Sequence, residues 1–256
     1  EDDLMRLFGS DRIANVMSHQ GLEEGQELEH SWLNRSIEQA QRRVEQQNFS
    51  IRKRTLEYDD VMNKQREIIY GFRGGIVGSP NIREQIYDVF NDLIVDQVEA
   101  LLLDDGENSV SSFVEWARGT FPVALRVDEV RAKAAESNEA VAREVFERVQ
   151  RAYDLKMTAE DSKMGPGMER HVVLQVIDSQ WQDYLRAMDA MRQGVGLRAY
   201  GQQDPLVEYK REAYRMFEEL MSGIKQDVSA AVFRSTTSVN SFQNFLESLP
   251  KALVHD

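Results

Sequence analysis

Met191-Arg-Gln-Gly-Val-Gly-Leu-Arg-Ala-Tyr-Gly-Gln-Gln-Asp-Pro205 is a glycine-broken, arginine-bearing stretch with one tyrosine. Its reading decides the fold, because the segments on either side carry matching apolar stripes. Upstream, a helix is predicted from about Met168 to Arg192, with Val172, Val176, Trp181, Leu185 and Met188 at helical spacing. Downstream, Asp204 is placed as an N-cap and Pro205 at the first helical position. There Leu206, Tyr209, Ala213, Met216, Phe217, Leu220, Ile224 and Val228 line one face. Two such helices joined by a short connection form an antiparallel hairpin with its tip at 193–204. Tyr200 falls outside both stripes and is expected to project from the tip, near Arg192, Leu197 and Arg198. An exposed tyrosine on a rigid support offers contact area and one donor at little rotamer cost. The alternative is a tyrosine folded back onto the base of the hairpin.

Working outward, the segment from about Glu27 to Phe72 contains no proline and no glycine before Gly71. Apolar or aromatic residues recur every seven positions at Ile37, Val44, Ile51, Tyr58 and Phe72, with Gln65 the one exception. A second row at Leu33, Ala40, Val61 and Ile68 is interrupted by Gln47 and Arg54. Such a repeat predicts one long helix that keeps a single stripe facing its partners, roughly 65 Å from end to end. A helix of that length with one narrow stripe must act as a spine along which other elements pack. Gly71, Gly74, Gly75, Gly78 and Pro80 are expected to end it. Helices are then predicted at about 82–103, 109–118, 127–135 and 137–157, a small helical module closed by Met164-Gly-Pro-Gly167. Residues 1–25 hold an amphipathic turn or two, Ser235–Asn240 is a polar link, and 241–255 reads as a short terminal helix. The fold class expected is all-α.

Composition narrows the chemistry. The chain of 256 residues has no cysteine, which excludes disulfides and thiolate metal sites. No apolar run exceeds four residues, too short for a membrane-spanning helix or a signal-peptide core. The start, Glu-Asp-Asp-Leu-Met, reads as the interior of a longer protein. A net charge of −13 works against binding nucleic acid or anionic lipid. Residues 31–73 hold nine Lys/Arg against six Asp/Glu, whereas 74–165 hold ten against eighteen. A mildly basic rod is thus joined to an acidic module.

Catalytic readings fare poorly. Asp59 and Asp60 are adjacent carboxylates that diverge by about 100° on a helix, so they cannot chelate one ion alone; a solvated face or a docking ion pair suits them better. The histidines at 19, 30, 171 and 255 repeat no ligand spacing, and no phosphate-cradling Gly-x4-Gly-Lys-Ser/Thr loop occurs. No catalytic residue, metal site or cofactor is therefore assigned within the chain. Arg42, Arg43, Arg52, Lys53 and Arg54 are read as salt-bridge donors to a neighbouring domain rather than as phosphate grips. Trp181, lying in an apolar stripe, is read as core rather than as a binding platform.

Three blocks carry a family resemblance. Gln41-Arg-Arg-Val-Glu-Gln-Gln-Asn-Phe-Ser-Ile-Arg-Lys53 with Leu56-Glu-Tyr-Asp-Asp-Val-Met-Asn-Lys-Gln-Arg66 resembles the long scaffold helix of SecA, the bacterial preprotein translocase ATPase. Leu174-Gln-Val-Ile-Asp-Ser-Gln-Trp181, Met188 through Tyr200, and Asp204-Pro-Leu-Val-Glu-Tyr-Lys-Arg-Glu212 look like its two-helix finger. Glu1 to Arg12 is similar to the segment leaving its second nucleotide-binding domain. The resemblance runs from residue 1 to about 231 and is weak across 80–165.

The resemblance implies a division into 1–26, the segment leaving the nucleotide-binding domain; 27–72, the scaffold helix; 73–166, a helical wing; 167–231, the finger; and 232–256, a linker. It implies that Arg42, Arg43, Arg52, Lys53, Asp59 and Asp60 dock the protein's own nucleotide-binding and preprotein cross-linking domains. It implies a fingertip of Tyr200, Arg198, Leu197 and Arg192 that meets the preprotein and the SecYEG channel. ATP and Mg2+ belong to motor domains outside this chain, and the implied location is cytoplasmic with peripheral contact to the inner membrane. Ser50 replaces an acidic residue usual in its block, and Tyr184 stands where histidine is common. Residues 232–256 lack the cysteines of the family's zinc-binding tail, which serves docking to the chaperone SecB. Two rival readings are a stand-alone helical adaptor binding partner proteins along the spine, and a coiled-coil homodimer through Ile37–Phe72.

Overall fold

The computed structural model describes residues 31–102, 108–160, 165–198 and 204–237. The expectations for 1–26, for the terminal helix at 241–255 and for Tyr200 lie outside the described residues. Among those described there are seven helices and no strand, the all-α class expected from the periodicity. The chain divides into two units between Met62 and Asn63.

Helix α1 (Ser31–Gly78) has 48 residues, about 72 Å at the standard rise. In its first unit the seven-residue stripe is only half-buried at Ile37, Val44 and Tyr58, and Ile51 is 56% exposed. In the second unit the buried positions are Gln65, Ile69 and Ile76, whereas Ile68 is 51% exposed. The expected stripe through Ile68 is therefore corrected. Within the second unit Gln65, Ile69 and Ile76 share one face, and Ile68, about 100° round the helix from Ile69, falls outside it.

The expected stop at Phe72 is also corrected, because α1 continues through Gly71, Gly74 and Gly75 to Gly78. It ends at Ser79-Pro80, where proline disfavours helical backbone in the residue before it.

Helices α2 (Ile82–Leu102), α3 (Ser109–Thr120), α4 (Val127–Ala134) and α5 (Asn138–Ala159) fall within two residues of expectation. Ser137 caps α5, its hydroxyl accepting from the Ala140 amide at 3.1 Å. Their core is built from Ile86, Phe90, Leu93 and Ile94 of α2, Phe113 and Ala117 of α3, and Val145, Val149 and Tyr153 of α5.

Helices α6 (Gly165–Arg198) and α7 (Pro205–Arg234) form the hairpin and pack along one another. The cap is as expected: the Asp204 carboxylate accepts from the Leu206 amide at 2.9 Å, with Pro205 in the first turn. On α7, Tyr209, Ala213, Leu220, Ile224 and Val228 are buried as predicted. On α6 the buried row is Val173, Ile177, Trp181, Tyr184 and Met188, while Val172 and Val176 are half-buried. Apolar pairs at 172–173 and 176–177 leave the phase of this face undecided in sequence. Helix α6 also runs six residues past the expected Arg192, to Arg198.

Helix α2 packs on both α5 and α7, so one core joins the four-helix module to the base of the hairpin. Phe90 is its centre. Ring centroids lie 5.4 Å away at Tyr153, 5.5 Å at Phe233 and 5.6 Å at Phe121, near enough for favourable stacked and edge contacts. Phe90→Ala should destabilise the protein by about 3–5 kcal/mol, as expected for a fully buried phenylalanine. Phe49→Ala, at a side chain 69% exposed, should leave the thermal midpoint nearly unchanged. Paired thermal denaturations check both.

Candidate functional site

The chemically distinctive region is the seam where the end of α1 meets the hairpin. Gln65, the residue that interrupts the apolar repeat, is only 6% exposed. Its amide nitrogen donates to the Ala213 carbonyl of α7 at 3.1 Å, and its amide oxygen accepts from the Tyr184 hydroxyl of α6 at 2.8 Å. One side chain thus ties the spine to both hairpin helices. A buried amide left unpaired is costly, so the two bonds specify a single register. Burial pushes the Tyr184 phenol well above its ordinary value, which keeps it a neutral donor.

Three further contacts continue the seam. Trp181 stacks on Tyr184, centroids 5.4 Å apart, and meets the Tyr70 ring edge-on at 6.4 Å. It is 6% exposed, which agrees with the reading of Trp181 as core. Arg73 grips Asp178 with two bonds at 2.8 and 3.1 Å. Hydrogen bonding within that pair raises the arginine and holds the aspartate below its usual range. Arg170 of α6 donates to the Ile76 and Ser79 carbonyls at 3.3 and 2.7 Å, covering acceptors that a helix C-terminus leaves unmade.

A second polar cluster lies where α5, α6 and the chain after α7 converge. Lys156 and Glu160, with side chains 1% and 2% exposed, pair at 3.2 Å. Glu160 also accepts from the Thr237 amide at 2.8 Å and from its hydroxyl. Burial pushes Glu160 up, but the bonds from Thr237 and Lys156 outweigh this and hold it below the ordinary value. Burial lowers Lys156. Nearby, Glu169 accepts from the Tyr153 hydroxyl at 3.0 Å and from Arg83 at 3.3 Å. This cluster fastens the exit of α7 to the end of α5.

The residues singled out in sequence are distributed otherwise. Arg42, Arg43, Arg52, Lys53 and Arg54 are exposed on the first unit of α1, Asp59 is half-buried and Asp60 exposed. Arg42 pairs with Glu38 at 2.6 Å within its own helix, a solvated contact that contributes little. Arg192 is exposed on α6, and Leu197 and Arg198 lie in the last turn of that helix rather than in a loop. Tyr200 lies outside the described residues. Among the described residues, no group of three or more His, Asp or Glu is arranged to hold a metal ion, and no helix is long and apolar enough to cross a membrane. Sequence reading passed over Gln65 as an exception and treated Tyr184 only as a departure from a family pattern. The usable signal was a lone amide in an otherwise apolar register, a common device for fixing helix alignment.

Comparison with known proteins agrees with this architecture. Residues 27–236 match the SecA wing and scaffold domain family. The protein translocase subunit SecA of Heliobacterium modesticaldum is 40% identical over 238 residues, covering 91% of this chain and 28% of that protein. Its counterpart in Chlorobaculum tepidum is 41% identical over 234 residues, covering 91% and 22%. That of Desulforamulus reducens is 39% identical over 237 residues, covering 91% and 27%. The chain therefore spans roughly a quarter of the length of these relatives.

Gln65→Leu should cost about 1–3 kcal/mol, because the buried Tyr184 hydroxyl loses its shorter bond and keeps only the 3.4 Å one to the Ala213 carbonyl. Adding Tyr184→Phe should recover part of that loss, since both partners are then apolar; denaturant titrations of the two singles and the double give the coupling directly. Acid should act on the second cluster. Because the folded Glu160 value is depressed, its contribution is complete above the unfolded carboxylate value and is lost as pH falls through the lower folded one. Unfolding free energies across that window should fall less steeply for Glu160→Gln than for the wild type.

Proposed function

The chain belongs to the SecA protein translocase family as its wing and scaffold part, and from that membership we propose that it transmits mechanical work to preprotein. In this reading residues 27–72 are the scaffold helix, residues 73–166 the wing, and residues 167–231 the two-helix finger. The finger faces the SecYEG channel, and Tyr200, with Arg198, Leu197 and Arg192, meets the moving polypeptide. ATP and Mg2+ act at nucleotide-binding domains elsewhere in the full-length protein. Arg42, Arg43, Arg52, Lys53, Asp59 and Asp60 dock those domains and the preprotein cross-linking domain. The protein works at the cytoplasmic face of the membrane, in peripheral contact with it.

The observation that carries the reading is the Gln65 node, supported by the Arg73–Asp178 grip. A displacement of α1 at Gln65 pulls on Tyr184 and Ala213 together, so both hairpin helices move as one body. Two packed helices resist bending better than one, which suits a hairpin that must push rather than flex. Pairing through a buried amide also supplies directional contact that a purely apolar face, free to slide, would lack.

Tyr200→Ala in the full-length protein should slow ATP-driven preprotein movement into SecYEG vesicles at least several-fold, with helicity and melting unchanged. Wild-type transport by this variant, or its unfolding, would refute the fingertip role.

A further inference from the structure

The last eight residues of α1 include four glycines, Gly71, Gly74, Gly75 and Gly78. Glycine is the poorest helix former after proline, so the local sequence argues against the helix it is found in. Neither packing nor backbone geometry asks for glycine here. A Cβ added at Gly71, Gly74 or Gly78 would meet no atom within 4 Å, and one at Gly75 only the Gln85 amide at 3.9 Å. None of the four has the positive φ that would exclude a side chain. What these residues supply is low intrinsic helicity.

The segment is held from outside instead. Arg170 of α6 binds the Ile76 and Ser79 carbonyls, and Gln85 of α2 donates to the Gly75 carbonyl at 3.3 Å. Ile76, 1% exposed, anchors the same turn. The Gln85 clasp is incomplete, for its amide oxygen is buried without a hydrogen-bond partner. Upstream, Gln65 and the buried Ile69 precede every glycine of the helix, and Gln65 holds the spine to the hairpin through the two bonds described above.

We propose that residues 71–78 are a hinge, two turns of low intrinsic helicity kept helical by contacts from other helices: Asp178 on Arg73, and Arg170 and Gln85 on the carbonyls. Motion along α1 then reaches the hairpin through Gln65 and the Arg73–Asp178 grip, and the soft turns around Gly74, Gly75 and Gly78 keep it from being driven on into α2 and the wing. The hinge itself stands on the glycine pattern and the external clasp; only its use in transport rests on the function proposed above.

Hydrogen exchange followed by mass spectrometry on the full-length protein tests the hinge. Amides of 75–79 should exchange faster than those of 65–70. Gly71→Ala with Gly74→Ala should slow them roughly twentyfold, from about four- to fivefold per glycine replaced in a helix interior. Arg170→Met should quicken them. Equal protection across 65–79 in the wild type, or no response to the alanine pair, would overturn the hinge whatever the transport result. With the hinge stiffened, preprotein movement should fall at least twofold while ATP turnover persists. Unchanged transport by a protein whose exchange has slowed would show that the hinge has no part in it.

Discussion

A buried amide cannot be left without partners, and that requirement at Gln65 organises the second unit. Hydrophobic contact is non-directional, so burial of Ile69 and Ile76 does not by itself fix where the end of α1 sits along its length. Gln65 removes that freedom. Its donor and acceptor are both engaged, each by a different helix, and displacement by one turn would strand both. The Arg73–Asp178 grip and the Arg170 cap act at fixed distances further along the same helix, so they reinforce the register that Gln65 selects.

Much of the architecture was readable from residue patterns. Helix spans, the Asp204-Pro205 start and the buried row of α7 depend on local periodicity and capping, which short-range rules describe well. The misreadings arose where tertiary contact overrode local preference. Glycines at 71–78 argue for a break, yet Arg170 and Gln85 satisfy the carbonyls from other helices and the break is deferred. Ile68 fits the heptad yet faces solvent, because the buried face here runs through Gln65, Ile69 and Ile76, and Ile68 lies about 100° round the helix from Ile69. The site was the least legible part: Gln65 stood out only as a flaw in a pattern, and nothing local in the sequence tells which distant helix a lone amide will meet.

The base of the hairpin follows a different logic from the seam. There an aromatic core around Phe90 supplies the bulk of the packing, and the polar residues around it close the edge. Lys156, Glu160, Glu169 and Arg83 are two cations and two carboxylates, so the cluster as a whole carries little net charge. A buried ion pair is weak evidence for stability on its own, since desolvation offsets most of the attraction. Its value is specificity: Glu160 accepts from both the amide and the hydroxyl of Thr237, which defines where the chain leaves α7.

Stiffness is consequently graded along α1, and the gradient has a physical origin at each point. Around Gln65 and Ile69, intrinsic helicity, apolar burial and two directional bonds agree. From Gly71 onward, intrinsic helicity is low, and contacts from other helices, Asp178 on Arg73 and Arg170 and Gln85 on the carbonyls, supplement the helix's own bonds. A rod of uniform rigidity would transmit any displacement to everything attached to it. One whose intrinsic helicity falls off along its length delivers movement mainly to the part it holds most tightly.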